Sequence, residues 1–441
     1  MMGRKSKQLC MIMLDMEDLI LQDHLLRKIK TAIDFDFIYE ETESYYSKIG
    51  RPSIDPVCLM KMLLVGYLYG IRSERRLEEE ITLNIAYRWF CDFDLMDAIP
   101  DHSTFSQNRR RRFTDSTIFR EIFNRIVKAC IETGLVSGET AVSDGTFIPA
   151  NVSWESRIEV TRLVEKSTVD YLDALDEELK SLKGYVEAAP IVIEKKELKS
   201  TTDPECGYIH QDIKKGLGYL AEMTVDTENG IITGVDCYPA NRRESDIILK
   251  HIEKQVKDNG LDIQKLVLDA GYDVGAVHRG LEIMGITGYT SLRYTHNNPM
   301  KEGFVYQPDM DAFKCREGKC LVFSKLIHKK RIGYYRLYNI KAGLCRNCRY
   351  WNECRATSGS FRINASPHYP AYYANRVRHD TPTYIQVKRL RGIWSEGTFA
   401  ALKNNHNLKR HRKRGLHRAT EECLLSATAL NLKRFIKAVA I

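Results

Sequence analysis

The sequence predicts a mixed α/β core, preceded by an all-helical segment and broken by insertions between its acids. Three observations lead there. Two short β-forming runs each carry an acid: ETAVSDGTFIPA, Glu139 to Ala150, holds Asp144, and KLVLDAGYDVGAV, Lys265 to Val277, holds Asp269. Between them, GYLAEMTVDTENGIITGVDCYP (Gly218 to Pro239) sets strand-like runs on either side of Glu228-Asn229-Gly230, a strong hairpin signal. Residues up to about Thr133 read as mostly helical.

Taken in order, the first helices lie in PSIDPVCLMKMLLVGYLYGI, SERRLEEEITLNIAYRWF and HSTFSQNRRRRFTDSTIFREIFNRIVKACIETG. They give a helical N-terminal domain over residues 1–134, suited to DNA binding because one helix carries four consecutive arginines; a helical packing domain is the alternative. A charged insertion at about 155–205 follows the strand of Asp144. It is expected to be helical from Arg157 to Lys183, since Leu172, Leu175, Leu179 and Leu182 recur at helical spacing. After the hairpin come a helix from about Glu244 to Asp258 and the strand of Asp269. Residues 303–373 are a cysteine- and tyrosine-rich insertion, and two helices joined through Gly415 close the chain. The core is therefore expected over 135–302 and 374–441.

The 441 residues are 43% hydrophobic and 28% charged, a balance that excludes large-scale disorder. The run Met62 to Ile71 is too short to span a bilayer and the first residues lack a signal peptide's apolar core, so a cytoplasmic protein without membrane partners is expected. Twelve cysteines then point to reduced thiols or metal ligands. The net charge of +9 is concentrated in two clusters, Arg109, Arg110, Arg111 and Arg112 in the first, and Lys409, Arg410, Arg412, Lys413 and Arg414 in the second. Such clusters are the electrostatic footprint of a nucleic-acid binder, although a solvated face is the simpler alternative for either.

An acid at the mouth of a buried strand must be hydrogen-bonded, paired or metal-bound, because an isolated carboxylate is costly to desolvate. In open α/β sheets, strand carboxyl ends are also where ligands bind. A helix N-cap or turn aspartate is the competing reading of Asp269. If the two acidic strands are neighbours, Asp144 and Asp269 meet, and Glu396 can join them from the C-terminal helix. Three carboxylates suit two Mg²⁺ or Mn²⁺ ions, which favour oxygen donors and in-line displacement at phosphorus.

Here the sequence resembles the bacterial DDE transposases of insertion sequences, close to the insertion sequence 1182 group. The resemblance is carried by SDGTFIPAN, YPANRRESD, LVLDAGYD, SEGTFAALKNNH and NLKRF in this order, after the N-terminal segment quoted above. It implies an RNase H-like core in which Asp144, Asp269 and Glu396 bind the metals. It implies double-stranded DNA as partner, both element ends and target, a homodimer in the DNA complex and association with the bacterial nucleoid. The family signature runs Tyr, two residues, Arg, three residues, Glu, six residues, Lys. Glu396 and Lys403 fit it, and seven residues apart they share a helical face from which Lys403 reaches a phosphate. The Tyr position is Arg389 and the Arg position is Gly392, with Arg391 one residue away; Arg389 and Arg391 are expected to meet DNA.

Within the late insertion, Cys345 and Cys348 have zinc-knuckle spacing, and Cys354, Cys315 and Cys320 are available to complete a tetrahedral thiolate site. Packed, reduced cysteines are the alternative. The function expected is cleavage and strand transfer of an insertion sequence. A nuclease on the same core, or a DNA-binding relic without catalysis, competes with it.

Overall fold

The computed structural model describes residues 13–439, apart from 48, 51–52, 115, 167–171, 190, 212–213, 294–302, 331–332, 342, 346–347 and 353–361. The chain divides into two compact units, Met1–Ala129 with Ala401–Asn407 and Leu424–Ile441, and Cys130–Ala400 with Leu408–Cys423.

The described residues of the first unit form helices and turns without a strand. Helix Pro56–Leu68 starts where its sequence signals a start: Pro56 takes the first helical position, and the Asp55 carboxylate accepts from the amides of Val57 and Cys58. Nearly every residue of this helix is buried, as its uniformly apolar sequence demands. Ser73 caps Glu74–Leu83, and Asn84 caps Ile85–Phe90. The segment from the chain's C-terminal part is tied in by polar contacts: Asn407 donates to the carbonyls of Gly66 and Ile71 (3.0 and 3.2 Å), and His406 Nδ1 meets the Tyr67 carbonyl at 2.8 Å.

The second unit is built on a six-stranded mixed sheet. Its strands are β1 (Thr140–Pro149), β4 (Gly207–Gln211), β5 (Lys214–Asp226), β6 (Ile232–Pro239), β7 (Lys265–Leu268) and β8 (Thr287–Thr290), while β2 (Arg157–Lys166) and β3 (Ile191–Ser200) form a separate ribbon. The order β5-β1-β7-β8 runs through the middle, with β6 and β4 both on the outer edge of the long β5. β1 is antiparallel to β5 and parallel to β7, and β7 is parallel to β8. Read as β6-β5-β1-β7-β8, with only the second strand of the chain order reversed, this is the strand arrangement of an RNase H-like sheet. The hairpin turns at Gly230, whose φ of +74° a side chain rarely adopts.

The insertion after β1 departs from expectation. Residues 157–166 and 191–200 are an antiparallel β ribbon, and only Asp173–Ser181 is helical. Leu175 and Leu179 do lie buried on that short helix. Arg157 to Val160 alternates charged and apolar residues with a period of two, and Glu159 pairs with Lys196 (3.1 Å) and Glu197 with Arg162 (3.0 Å) across the ribbon. Helical leucine spacing was a true signal for one turn-rich stretch and false for its neighbours.

The late insertion holds a five-stranded antiparallel sheet, β9 (Val305–Gln307), β10 (Ala312–Lys314), β11 (Cys320–Lys329), β12 (Gly333–Asn339) and β13 (Arg362–Ala365), with β12 and β11 central. Its tyrosines are core rather than chemistry. Tyr306, Phe313, Tyr338 and Tyr369 pack together, and the hydroxyls of Tyr306 and Tyr338 both donate to Asp311 Oδ1 at 2.6 and 2.7 Å.

Candidate active site

The two aspartates are brought together by strand pairing. Val142 of β1 and Val267 of β7 are the last paired residues of their parallel ladder, and each acid lies two residues further on. Asp269 ends its strand as the cap of a single helical turn, Ala270–Tyr272, and its Oδ1 accepts the Gly271 amide at 2.6 Å. The N-cap reading is thus correct, and it accounts for only one carboxylate oxygen. Asp269 Oδ2 instead faces a guanidinium.

That guanidinium belongs to Arg391. Its Nη2 lies 2.8 Å from Asp144 Oδ2 and 3.8 Å from Asp269 Oδ2, so one cation bridges both acids. Ser395 donates its hydroxyl to the same Asp144 oxygen at 2.6 Å, and the Gly145 amide takes Asp144 Oδ1 at 3.0 Å. Burial raises the Asp144 carboxyl above its ordinary value and the Asp269 charge adds to this, while Arg391 and Ser395 pull it down. The sequence expectation for Arg391, a DNA contact, is therefore corrected: its guanidinium is spent on the acids.

The segment that supplies these contacts is unusual. After helix Pro382–Arg391, residues Gly392–Glu396 form a π-helical turn before helix Gly397–Asn405. A π turn accommodates one extra residue per turn relative to an α-helix. Here it separates Arg391 from Glu396, whose spacing is one residue longer than the family signature requires. The extra residue is absorbed by the backbone, which explains how a displaced arginine still reaches the site. Trp394, in the same turn, covers Gly230: a Cβ there would sit 2.2 Å from the indole. Gly230→Ala combines this clash with a left-handed backbone, so we expect a loss of about 1–3 kcal/mol in chemical denaturation, with cleavage falling alongside.

Glu396 itself is exposed, and among the described residues its carboxylate does not lie within 4.8 Å of both aspartates. It directly follows Ser395, whose hydroxyl reaches Asp144. Lys403 lies on helix Gly397–Asn405 in the part of the chain that belongs to the first unit.

Two further acids close to the aspartates escaped the sequence reading. Glu244, first residue of helix Glu244–Asn259, sends its carboxylate between Gly145 and Gly271, 2.6 Å and 3.1 Å from where their Cβ atoms would be. A side chain at either glycine would push the Glu244 carboxylate aside. Its signal was present in YPANRRESD, where an acid opens a helix. Glu222 on β5 is completely buried beneath, accepting the Tyr272 hydroxyl at 2.8 Å and the Ser143 hydroxyl at 2.8 Å. Burial raises the Glu222 carboxyl well above its usual range, against these two donors and with the charges of Glu244 and Asp144. A raised carboxyl contributes stability that is complete below the unfolded value near 4.5 and lost as pH rises through the folded value. Glu222→Gln should therefore flatten the pH dependence. With a chelator present, wild-type Tm should fall relative to the variant as pH rises above about 5, and parallel curves would place the titration elsewhere.

Around the Asp269 turn opens a cleft of about 720 Å³, lined by His210, Arg242, Arg243, Glu244, Gly271 and Arg293 among others. The three arginines are exposed. None belongs to the clusters that the sequence singled out. Those clusters divide: Arg109 is buried and paired with Glu74, and Arg112 donates to Asn108 and stacks on Tyr46, whereas Arg110 and Arg111 are exposed. In the second cluster Arg410 and Arg414 donate to the carbonyls of Ala150 and Asn151, Arg412 approaches Glu422, and Lys413 pairs with Glu421 at 2.6 Å. Lys409 and Arg389 are exposed. A DNA-facing role for Arg109, Arg412 and Lys413 is corrected accordingly: their charges are consumed by buried or half-buried acids.

Comparison with known proteins adds the family. Residues 14–111 match the model described as Transposase domain (DUF772), and residues 314–436 match the one described as Transposase DDE domain. The chain belongs to the insertion-sequence DDE transposases. The second match contains Glu396 and Lys403 of the transposase, while Asp144 and Asp269 precede it. No curated protein matches the transposase. Among solved structures it is similar to a piggyBac transposase synaptic complex with hairpin DNA, at 9% identity and a TM-score of 0.27 over 97% of this chain and 82% of that one. It is also similar to the Mos1 mariner paired end complex with Mn, at 9% identity and a TM-score of 0.18 over 62% and 67% of the two chains. No helix among the described residues is long and apolar enough to cross a membrane.

In the cysteine-rich insertion, Cys315, Cys345 and Cys348 line one small recess together with Phe304, Ile340 and Trp351. Gly318 N donates to Cys315 O at 2.9 Å, and Cys348 N to Cys345 O at 3.2 Å. Cys320 is half-buried at the start of β11, and Cys354 lies outside the described residues.

Proposed function

We propose that this transposase cleaves the ends of an insertion sequence of the 1182 group and joins them to target DNA. The observation that carries the reading is the bridging of Asp144 and Asp269 by one cationic group at the ends of adjacent parallel strands. Two carboxylates so close hold a positive charge between them, and their oxygens are the donors a hard divalent ion prefers. Asp144, Asp269 and Glu396 are the residues to hold Mg²⁺ or Mn²⁺, with Glu244 beside them. Such ions, when bound, activate an attacking oxygen and stabilise a leaving one at phosphorus.

The chain's own groups do the rest. Ser395 and the Gly145 amide orient Asp144, the Gly271 amide orients Asp269, and Arg391 bridges the two carboxylates. The arginine-lined cleft beside Asp269 accepts a DNA backbone, and Lys403 contacts a phosphate. A helical N-terminal region over 1–134 recognises the element ends, and two copies of the chain assemble on DNA near the nucleoid. The Cys315, Cys345 and Cys348 recess, with Cys320 or Cys354, holds a structural zinc.

Incubating labelled element ends and a supercoiled target with Mg²⁺ tests the reading: joined product is expected, and cleavage that stops at hydrolysis would make the chain a nuclease. DNA binding should also be strongly salt-dependent. Arg110→Ala with Arg111→Ala is expected to flatten the slope of log K against log salt by about 2. Arg109→Ala should instead lower stability, because it strands Glu74. An unchanged slope in the double variant would return these arginines to the solvated surface.

A further inference from the structure

A third group of metal-ligating side chains is built where neither the catalytic acids nor the cysteine-rich insertion reach. Cys237 comes from β6, Cys423 from the first turns of helix Leu416–Ala438, and His411 from the segment just before that helix. Their exposures are 6%, 0% and 1%. One ligand atom from each lies within 4.8 Å of the others. Three separate stretches of chain thus converge two sulfurs and an imidazole in the interior of one unit.

The imidazole is held from every side but one. Its Nδ1 lies 2.9 Å from Glu422 Oε2, its backbone amide donates to Pro149 O at 3.0 Å, and the Tyr219 ring packs edge-on with centroids 5.4 Å apart. Nε2 is buried and turned to the thiol side, with the Cys237 thiol its neighbour. A histidine kept only as the partner of Glu422 needs no pair of thiols at its opposite nitrogen. A metal ligand does: a carboxylate on one ring nitrogen fixes the tautomer and turns the other nitrogen to the ion.

The geometry points to a zinc-class metal site formed by the Sγ atoms of Cys237 and Cys423 and the Nε2 of His411, with Glu422 as the carboxylate behind the histidine. In a tetrahedral zinc site with bonds of about 2.0–2.3 Å, neighbouring ligand atoms stand roughly 3.5–3.8 Å apart, inside the 4.8 Å within which these three lie. Two thiolates and a neutral imidazole cancel a divalent charge, so the assembly is neutral and can be buried. Thiolate ligands select zinc over the hard ions of the carboxylate site. The ion would clamp the edge strand β6 to the segment 408–423, where Arg410 and Arg414 already grip the chain after β1.

The test uses the full chain carrying Cys345→Ser and Cys348→Ser, so that zinc in the insertion does not contribute. Purified without chelator, it should retain about one zinc, and cobalt replacement should give thiolate-to-metal charge-transfer absorption. Adding Cys237→Ser should abolish both, while Glu422→Gln should bind zinc 10–100-fold more weakly. Because Cys237→Ser can impair folding, alkylation of the wild-type chain provides a second readout. Cys237 and Cys423 should be protected as purified and react after chelation, at a rate distinct from Cys345 and Cys348. Absence of metal and of the cobalt band in the double variant, full metal retention by Cys237→Ser, or equal reactivity of Cys237 and Cys423 with and without chelator would each overturn the site.

Discussion

Asp269→Asn should leave binding of the element ends intact and slow their cleavage by about 10³-fold or more. The side chain keeps its shape, and its Oδ1 still accepts the Gly271 amide, so the turn after β7 should survive. What disappears is the negative charge at the end of the strand, and with it half of the acidic pair that Arg391 bridges. Loss of a charged ligand at a site that stabilises several kcal/mol of transition-state charge corresponds to roughly that factor, at 1.36 kcal/mol per tenfold. Glu396→Gln and Glu244→Gln, assayed in parallel, decide the third carboxylate. Glu396 has the family spacing, while Glu244 has the contact with the glycines on both sides of the pair. The expected result is a collapse of cleavage in Glu396→Gln and a milder loss in Glu244→Gln. The reverse order would transfer the role to Glu244, and wild-type cleavage by Asp269→Asn would remove the site altogether. Binding, nicking and joining are scored separately on one labelled end, since a fall in all three reports unfolding.

The core sheet was legible because its signals are local. Asp144 and Asp269 each interrupt an apolar run, Gly230 announces a turn, and β1 and β7 then have only to lie side by side. The ribbon of β2 and β3 was not legible. Its strands pair across an intervening helix, and Leu175 and Leu179 of that helix lend their periodicity to a window that also spans the two strands. Tertiary pairing there overrides the local pattern.

At the site, the sequence identifies which residues carry charge but not what neutralises them. Arg109, Arg412 and Lys413 read as phosphate contacts because a run of basic residues carries no record of the acids facing it across the fold. Glu74, Glu422 and Glu421 are those acids, and the first of them lies far from its partner in sequence. Glu244 and the Arg242, Arg243 and Arg293 cleft were hidden for the same reason. Single charged residues become a site only when β5, β7 and helix Glu244–Asn259 bring them to one edge. The π turn is the clearest case. Arg391 looked displaced by one residue from where a catalytic arginine belongs, and an α-helical reading of Pro382–Asn405 had no way to correct for a backbone that takes up the extra residue.

Arg391→Met is therefore expected to have the second-largest effect, in two measurements that move in opposite directions. Without divalent ions, the guanidinium is the cation that the structure offers to both aspartates, at 2.8 and 3.8 Å. Removing it leaves two neighbouring carboxylates at a mostly buried strand end, costing about 2 kcal/mol of stability and lowering Tm by several degrees. Asp144 loses one of the influences that hold its carboxyl down, so cleavage should require higher pH. Mg²⁺ competes with the guanidinium for the same oxygens. The variant should accordingly bind Mg²⁺ more tightly and recover its lost Tm as Mg²⁺ is added, more steeply than the wild type does. Cleavage should still fall, by about 10²-fold, because the guanidinium that bridges Asp144 and Asp269 no longer holds the two carboxylates in register for the ions. Arg391→Lys retains the charge without the two-pronged geometry, so stability should return in that variant and cleavage should return only in part. Unchanged Mg²⁺ dependence of Tm in Arg391→Met would mean that arginine and metal do not share the aspartates, and the bridging guanidinium would then be a surface ion pair with no place in catalysis.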